Sequence, residues 1–305
     1  MSFLKSIADD VINFENAYIL TIQDKKNEVL DEIKQEILDA FENKKDIIGI
    51  QTGYQKLDQK IQGLQKGDLI ILGARPSMGK TAFALNIAVN LLRQNKNVYI
   101  FSYEMSVKEL YYRMLGILNN TSINNLKRGL IHGAIFDEIE SNINFIKKSN
   151  ITILDDPTNN LVKIECFLRK ELLEKKTIDL VIIDYIQIMP GQKNTDIYLT
   201  ISEYSRKLKL LAKEIKTPVL VLSQLNRSVE NRTDMKPRLS DLKNSGSLEQ
   251  DADIVLFLSS KDDFWSYSIK KVTIAKHRHG QTGEVDIFFY PHKTLFLENE
   301  IRGNK

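Results

Sequence analysis

The sequence predicts an α/β fold in which a mostly parallel central sheet is flanked by helices, with short helices ahead of it. Three observations carry this. Apolar runs recur between residues 69 and 258 without polar alternation, as strands buried on both faces require. Helical stretches separate most of these runs. A glycine-bearing loop joins the first run directly to a helix.

Residues 1–47 read as an N-terminal helical linker or docking segment, and residues 48–305 as the domain that holds the sheet. In the first segment Val29, Ile33, Ile37 and Phe41 recur at helical spacing, joined by Leu30 and Leu38. Further upstream Ile7, Val11, Phe14, Tyr18 and Ile22 form a second stripe. Packing on the chain's own core and packing on a neighbouring subunit both fit these stripes. In the second segment the apolar runs predict strands at 69–72, 98–102, 151–154, 180–184, 219–223 and 254–258, and a helix over 202–215. Residues 270–276 and 284–290 alternate polar and apolar side chains around a glycine-containing turn, which predicts a hairpin.

Composition bounds the function classes. The chain has 305 residues and a formal net charge of +3, so nucleic-acid contact must come from local placement of Lys and Arg. The single cysteine, Cys166, excludes an internal disulfide and a cysteine zinc site. The histidines show no metal-ligand spacing, and His277 and His279 read as a solvated strand face. No run is long and apolar enough to span a membrane, and the N-terminus lacks a signal-peptide pattern, so a cytoplasmic protein without membrane contact is expected.

The chemistry centres on residues 73–81, Gly-Ala-Arg-Pro-Ser-Met-Gly-Lys-Thr. A strand, a tight loop and a helix N-terminus are what a triphosphate needs: loop N–H groups wrap the phosphates and the helix end adds positive charge. Arg75, Pro76, Ser77, Met78, Gly79, Lys80 and Thr81 form this candidate ATP loop, with Lys80 toward the β- and γ-phosphates and the Thr81 hydroxyl toward Mg²⁺. Ala74 stands where the usual pattern has glycine, which is tolerable if its φ is negative. The other candidates end successive strands, where ligands bind in open parallel sheets. Asp184 ends the fourth strand and can orient Mg²⁺. Glu104 follows the second and can take a proton from an attacking water, unless it merely begins the helix at Ser106. Gln224 ends the fifth strand and can sense a γ-phosphate. Lys276 and Arg278 sit near the hairpin tip, where either a neighbour's cleft or solvent is their setting.

Six segments in order resemble the C-terminal motor domain of hexameric replicative DNA helicases of the DnaB type: 73–81, 101–106 (Phe-Ser-Tyr-Glu-Met-Ser), 181–187 (Val-Ile-Ile-Asp-Tyr-Ile-Gln), 222–228 (Leu-Ser-Gln-Leu-Asn-Arg-Ser), 245–253 and 274–283. The resemblance runs from about residue 28 to the end. It implies a RecA-like P-loop fold, a homo-hexameric ring, ATP and Mg²⁺ as cofactors, and movement on single-stranded and forked DNA. By position it makes Lys80 and Thr81 the phosphate and Mg²⁺ residues, Glu104 the catalytic glutamate, Asp184 the metal-orienting aspartate and Gln224 the γ-phosphate sensor. Lys276 and Arg278 match the pair that reaches an adjacent subunit's site. Residues 241–246 match the channel loop, with Lys243, Asn244 and Gly246 as DNA contacts. Lys243-Asn244 replaces the family's usual Arg-Glu, which keeps one positive charge and loses the planar fork. The chain shows no counterpart of the family's N-terminal helical domain. A short natural form and an excised fragment both fit, and primase binding is placed in doubt, while a helicase loader stays a possible partner. The alternative is a RecA-like ring or filament ATPase of recombination that does not separate strands.

Overall fold

Each apolar run that enters the sheet serves two cores at once. In the computed structural model, which describes residues 25–35, 37–38, 41–42, 46–131, 133–190, 196–232, 236–242, 246–264 and 267–299, the chain divides into two units, Met1–Asp46 and Ile47–Lys305. In the first, helix α1 covers 25–35, and Val29, Leu30, Ile33, Ile37, Leu38 and Phe41 are exposed in this single chain. The upstream stripe from Ile7 to Ile22 lies outside the described residues.

The second unit runs α2 (Gln55–Ile61), β1 (Leu69–Ala74), α3 (Lys80–Arg93), β2 (Val98–Ser102), α4 (Val107–Leu118), α5 (Ile123–Arg128), α6 (Gly133–Lys148), β3 (Ile151–Leu154), α7 (Leu161–Leu173), β4 (Leu180–Asp184), α8 (Ile197–Glu214), β5 (Val219–Gln224), α9 (Gly246–Asp251), β6 (Ile254–Asp263), β7 (Ser268–His277), β8 (Gly283–Tyr290) and β9 (Leu295–Leu297). The described strands form one nine-stranded sheet in the order β3-β2-β4-β5-β1-β6-β7-β8-β9. Pairing is parallel from β3 through β6 and antiparallel from β6 to β9. Along β1, Ile70 and Leu72 enter the core that holds Phe83 and Leu85 of α3, while Leu69 and Ile71 enter the opposite core with Leu168 of α7 and Leu208 of α8. Continuous apolar runs are thus required, because successive side chains face opposite layers.

The strand expectations hold in place and differ in extent. β6 continues to Asp263, because its distal half pairs only with β7 and tolerates polar residues on an open face. α8 begins five residues before the expected start, because the Asp196 side chain accepts from the Tyr198 N–H and caps it there. β9 was not expected at all; three residues after a left-handed turn at Thr294 (φ 52°) carry no readable period.

This topology gives the sheet two functional ends. β1, β2, β4 and β5 all deliver their C-termini to one end, with Ala74 opposite Gln224 and Ser102 opposite Asp184. β7 runs the other way, so that His277 lies opposite Ile254, the first residue of β6.

Candidate functional site

At the first end, the chain leaves β1 through a loop that only particular backbones can follow. Ala74 keeps a negative φ, as its side chain requires, while Ser77 (φ 65°) and Gly79 (φ 91°) take left-handed conformations. Gly79 precedes α3, and a Cβ there would lie 3.0–3.1 Å from the rings of Phe296 and Phe289. Those rings stack with centroids 4.2 Å apart and press against Phe83 through Phe296, so β8, β9 and α3 together fix the loop's floor. Gly73 is equally tight: its Cβ would meet the Phe257 ring at 2.9 Å.

The predicted loop residues divide by what their side chains touch. Lys80 and Thr81 face the cleft. Thr81 donates its hydroxyl to Asp184 Oδ2 at 2.7 Å, and Lys80 Nζ sits 4.0 Å from Asp184 Oδ1 and 4.1 Å from the centre of the Tyr185 ring. Arg75 turns away, donating to Glu230 at 2.8 Å and to the Leu225 carbonyl at 2.7 Å, so only its backbone is left for the cradle. Met78 packs on the hydrophobic core, and Pro76 and Ser77 are exposed.

Asp184 is 2% exposed, and its Oδ1 is buried without a hydrogen bond. Burial pushes its carboxyl above the usual range, and Lys80 and Thr81 pull it back. Burial pushes the Lys80 amine down, opposed by Asp184 and Glu104. A hydroxyl and a carboxylate side by side, with one carboxylate oxygen making no hydrogen bond, form a hard oxygen donor set that suits Mg²⁺.

Glu104 is exposed at the mouth of this cleft, close enough to act electrostatically on Lys80, Asp184 and Tyr185. It does not begin the next helix: Ser106 caps α4, with Glu109 completing the capping box. The cap thus leaves the Glu104 carboxylate unused. Gln224 is held through its backbone, whose N–H donates to Gln187 Oε1 at 3.2 Å while Gln187 Nε2 donates to Ser223 Oγ at 2.8 Å. Gln187 and Tyr185 are the site residues that sequence reasoning left without a role. Tyr185 and Gln187 lie one and three residues after Asp184, and only the fold shows which neighbour each one meets.

From Gln224 the chain passes to the candidate DNA loop. Leu225 pairs with Leu242, and the Asn226 N–H donates to the Asp241 carbonyl at 2.8 Å. Asp241 is 3% exposed; it accepts from the Arg238 N–H at 2.7 Å and pairs with Arg232. The loop root is therefore rigid. Lys243 and Asn244 lie outside the described residues, and Gly246 opens α9.

Lys276 and Arg278 lie at the other end of the sheet. Leu69 and Ala74 bound β1, and five steps of about 3.3 Å put these ends ~17 Å apart. Lys276 Nζ donates to the carbonyls of Glu249 at 2.5 Å and Gln250 at 3.2 Å, in α9. Arg278 donates to the Gln250 carbonyl at 3.2 Å and lies 3.2 Å from Asp253 Oδ1. The expectation of a solvated histidine face holds only for His279. His277 is half-buried, its Nδ1 is buried without a partner, and its ring lies where a Cβ on Gly280 would be. Burial lowers its pKa.

Comparison with known proteins gives these features a context. Residues 49–298 match the family model described as the DnaB-like helicase C terminal domain. The chain is 36% identical to the replicative DNA helicase DnaB of Geobacillus stearothermophilus, over 97% of this chain and 71% of that protein. It is also 36% identical to the replicative DNA helicase DnaC of Bacillus subtilis (strain 168), over 96% of this chain and 68% of that protein. The solved structure of a DnaB-like replicative helicase, studied with its primase interactions, superimposes with a TM-score of 0.79 at 34% identity, covering 88% of this chain and 66% of that one. Among the described residues no helix is long and apolar enough to cross a membrane.

Proposed function

The chain belongs to the family of DnaB-like helicase C-terminal domains and is an ATP-hydrolysing motor of a replicative DNA helicase; we propose the following division of labour among its residues. The observation that carries it is the Thr81–Asp184 contact at 2.7 Å beside a buried Asp184 Oδ1 that makes no hydrogen bond and has the Lys80 amine 4.0 Å away. When bound, Mg²⁺ would neutralise charge on the phosphate oxygens of ATP.

Thr81 and Asp184, already in contact at 2.7 Å, would hold that ion. Lys80 leaves the Tyr185 ring and takes the phosphates, trading a cation–π contact for a stronger charge pair. The N–H groups of Met78, Gly79 and Lys80, with the N-terminus of α3, wrap the phosphate chain. Glu104 orients the attacking water and accepts its proton. Its exposure at the mouth of the cleft leaves room for that water. Gln224 reads the γ-phosphate, and its backbone clamp passes any shift to Leu225 and so to the paired Leu242.

Lys276 and Arg278 serve the ATP site of an adjacent subunit in a homo-hexameric ring. Their place about 17 Å along the sheet from their own loop supports this, since a side chain cannot cover that span. Lys243, Asn244 and Gly246 hold the phosphates of single-stranded DNA in the channel. A helicase loader is a further proposed partner; primase contact is not assigned to this chain. Family membership disfavours the alternative of a ring or filament ATPase without strand separation.

The test is unwinding of a forked duplex with Mg²⁺ and ATP, with Lys80→Ala as control. Strand separation by the parent chain and none by Lys80→Ala is expected. DNA-stimulated ATP hydrolysis without strand separation would instead support the recombination-type reading.

A further inference from the structure

We propose that Asp253 is a positioning residue for Arg278: one of its carboxylate oxygens is anchored in the protein body, and the other aims the guanidinium toward the neighbouring subunit. The proposal rests on the reading of Arg278 as a residue that acts in trans.

Asp253 precedes β6 and is 1% exposed. A carboxylate so deeply placed is costly unless it is fully partnered. Its Oδ2 is satisfied from the body of the fold. Lys209 of α8 pairs with it, and the Leu69 N–H donates to it at 2.8 Å. Lys209 also donates to the Gly67 carbonyl at 2.9 Å, so the lysine is itself fixed. These contacts would suffice for a purely structural aspartate.

Oδ1 does something else. It lies 3.2 Å from Arg278 Nη1, and the Asp253 carbonyl accepts from the Arg278 N–H at 2.8 Å. Both the backbone and the side chain of Arg278 therefore refer to one residue. Nη2 adds the Gln250 carbonyl. The Arg278 side chain is still 42% exposed, which leaves guanidinium N–H groups facing outward. An arginine with a long flexible stem gains most from such tethering, because the rotamers it must lose on reaching a phosphate are already restricted.

Asp68 and His279 place ligand atoms within 4.8 Å of Asp253. Lys209 already supplies the positive charge that such a cluster would otherwise draw from a cation. Of the two acids, Asp253 is the one in an ion pair with Arg278.

The experiment is a double-mutant cycle on the full chain, read as single-turnover ATP hydrolysis with Mg²⁺ and single-stranded DNA, with nucleotide binding and thermal unfolding measured alongside. Asp253→Asn is expected to lower the hydrolysis rate by roughly ten- to a hundredfold, with nucleotide affinity changed by less than about twofold. In the Arg278→Ala background, Asp253→Asn should change the rate by less than about twofold, since the group it aims is gone. Asp253→Glu should recover part of the loss. The same loss factor in both backgrounds would show a structural role and overturn the proposal. So would parental hydrolysis by Asp253→Asn. Parental hydrolysis by Arg278→Ala alone would remove the trans reading itself, and that result is visible before Asp253 is changed. Should Asp253→Asn fail to fold because Lys209 is left unpaired, Asp253→Asn with Lys209→Met removes both charges, and the same cycle is run on that pair.

Discussion

Replacing Asp68 by asparagine should make the protein more stable at neutral pH and no more stable in acid. Asp68 is 6% exposed just before β1, and burial together with the neighbouring Asp253 pushes its carboxyl from the ordinary 3.8 up to about 6, against the pull of Lys209, His279 and Arg278. Above about pH 6 the carboxylate is ionised in folded and unfolded chains alike, and the folded state bears the full cost. Between about 3.8 and 6 the folded chain holds more protons, so stability falls as pH rises through that window. Below it both states are protonated and the cost is gone. A rise from 3.8 to about 6 corresponds to about 3 kcal/mol between the two protonation states, and solvent at the rim of the cluster reduces this to about 1–2 kcal/mol. Asparagine keeps the shape without the charge. Urea unfolding of parent and Asp68→Asn at pH 4, 5, 6, 7 and 8 should therefore give a midpoint difference that grows from a small fraction of its full size near pH 4 to a plateau above pH 7. The other carboxylates cancel in that difference. A variant that is no more stable at pH 8, or whose gain is the same at pH 4, would refute the reasoning.

Three further outcomes are expected. Glu104→Gln should bind nucleotide nearly as the parent does and lower turnover by about two to four orders of magnitude, as a lost general base does; parental turnover would make Glu104 a surface residue. Gly79→Ala should weaken Mg²⁺–ATP binding at least about tenfold in a fluorescent-nucleotide titration, because a Cβ at φ 91° meets two stacked rings. Gly129→Ala is its control: φ is 66°, but nothing lies within 4 Å, so only about 1 kcal/mol of stability should be lost and binding kept. Lys243→Ala should weaken single-strand binding and lower the salt dependence by roughly one phosphate contact per subunit, and an unchanged slope would move the DNA site elsewhere.

What the sequence showed and what it hid follow from the range of the interactions involved. The strand–loop–helix unit around residues 73–81 was legible because its constraint is local: a strand, small residues and a helix start lie within a dozen positions. The parallel strands were legible because burial on both faces removes polar alternation. The floor of the loop was not. Phe289 and Phe296 reach Gly79 from more than two hundred residues away, and nothing near Gly79 announces them. Arg75 sits inside the loop motif, yet Glu230 and the Leu225 carbonyl claim its side chain. Asp253 reads locally as one acid in an acidic run. Its meaning comes from Lys209 and Leu69, which the fold alone brings to it.

The same long-range logic explains why one chain carries unlike chemistry at two ends of one sheet. β1 and β6 are parallel, so the ends that begin them lie together, far from the ends that finish them. The antiparallel turn into β7 then returns the chain to the starting end, and Arg278 is left beside Asp253 rather than beside Lys80. Between these ends runs a single covalent path. It leaves Gln224, pairs Leu225 with Leu242 at the root of the proposed DNA loop, continues through α9, and offers the α9 carbonyls of Glu249 and Gln250 to Lys276 and Arg278. α9 is only six residues long, about 9 Å, and is held by Leu248 in the core, so displacement at its loop end has little slack in which to dissipate. On the proposed reading, a shift sensed at one subunit's γ-phosphate therefore reaches first its own DNA contact and then the residues it lends to its neighbour. On that reading, a chain with this topology would couple sites in sequence around a ring, because the sheet separates Lys80 from Arg278.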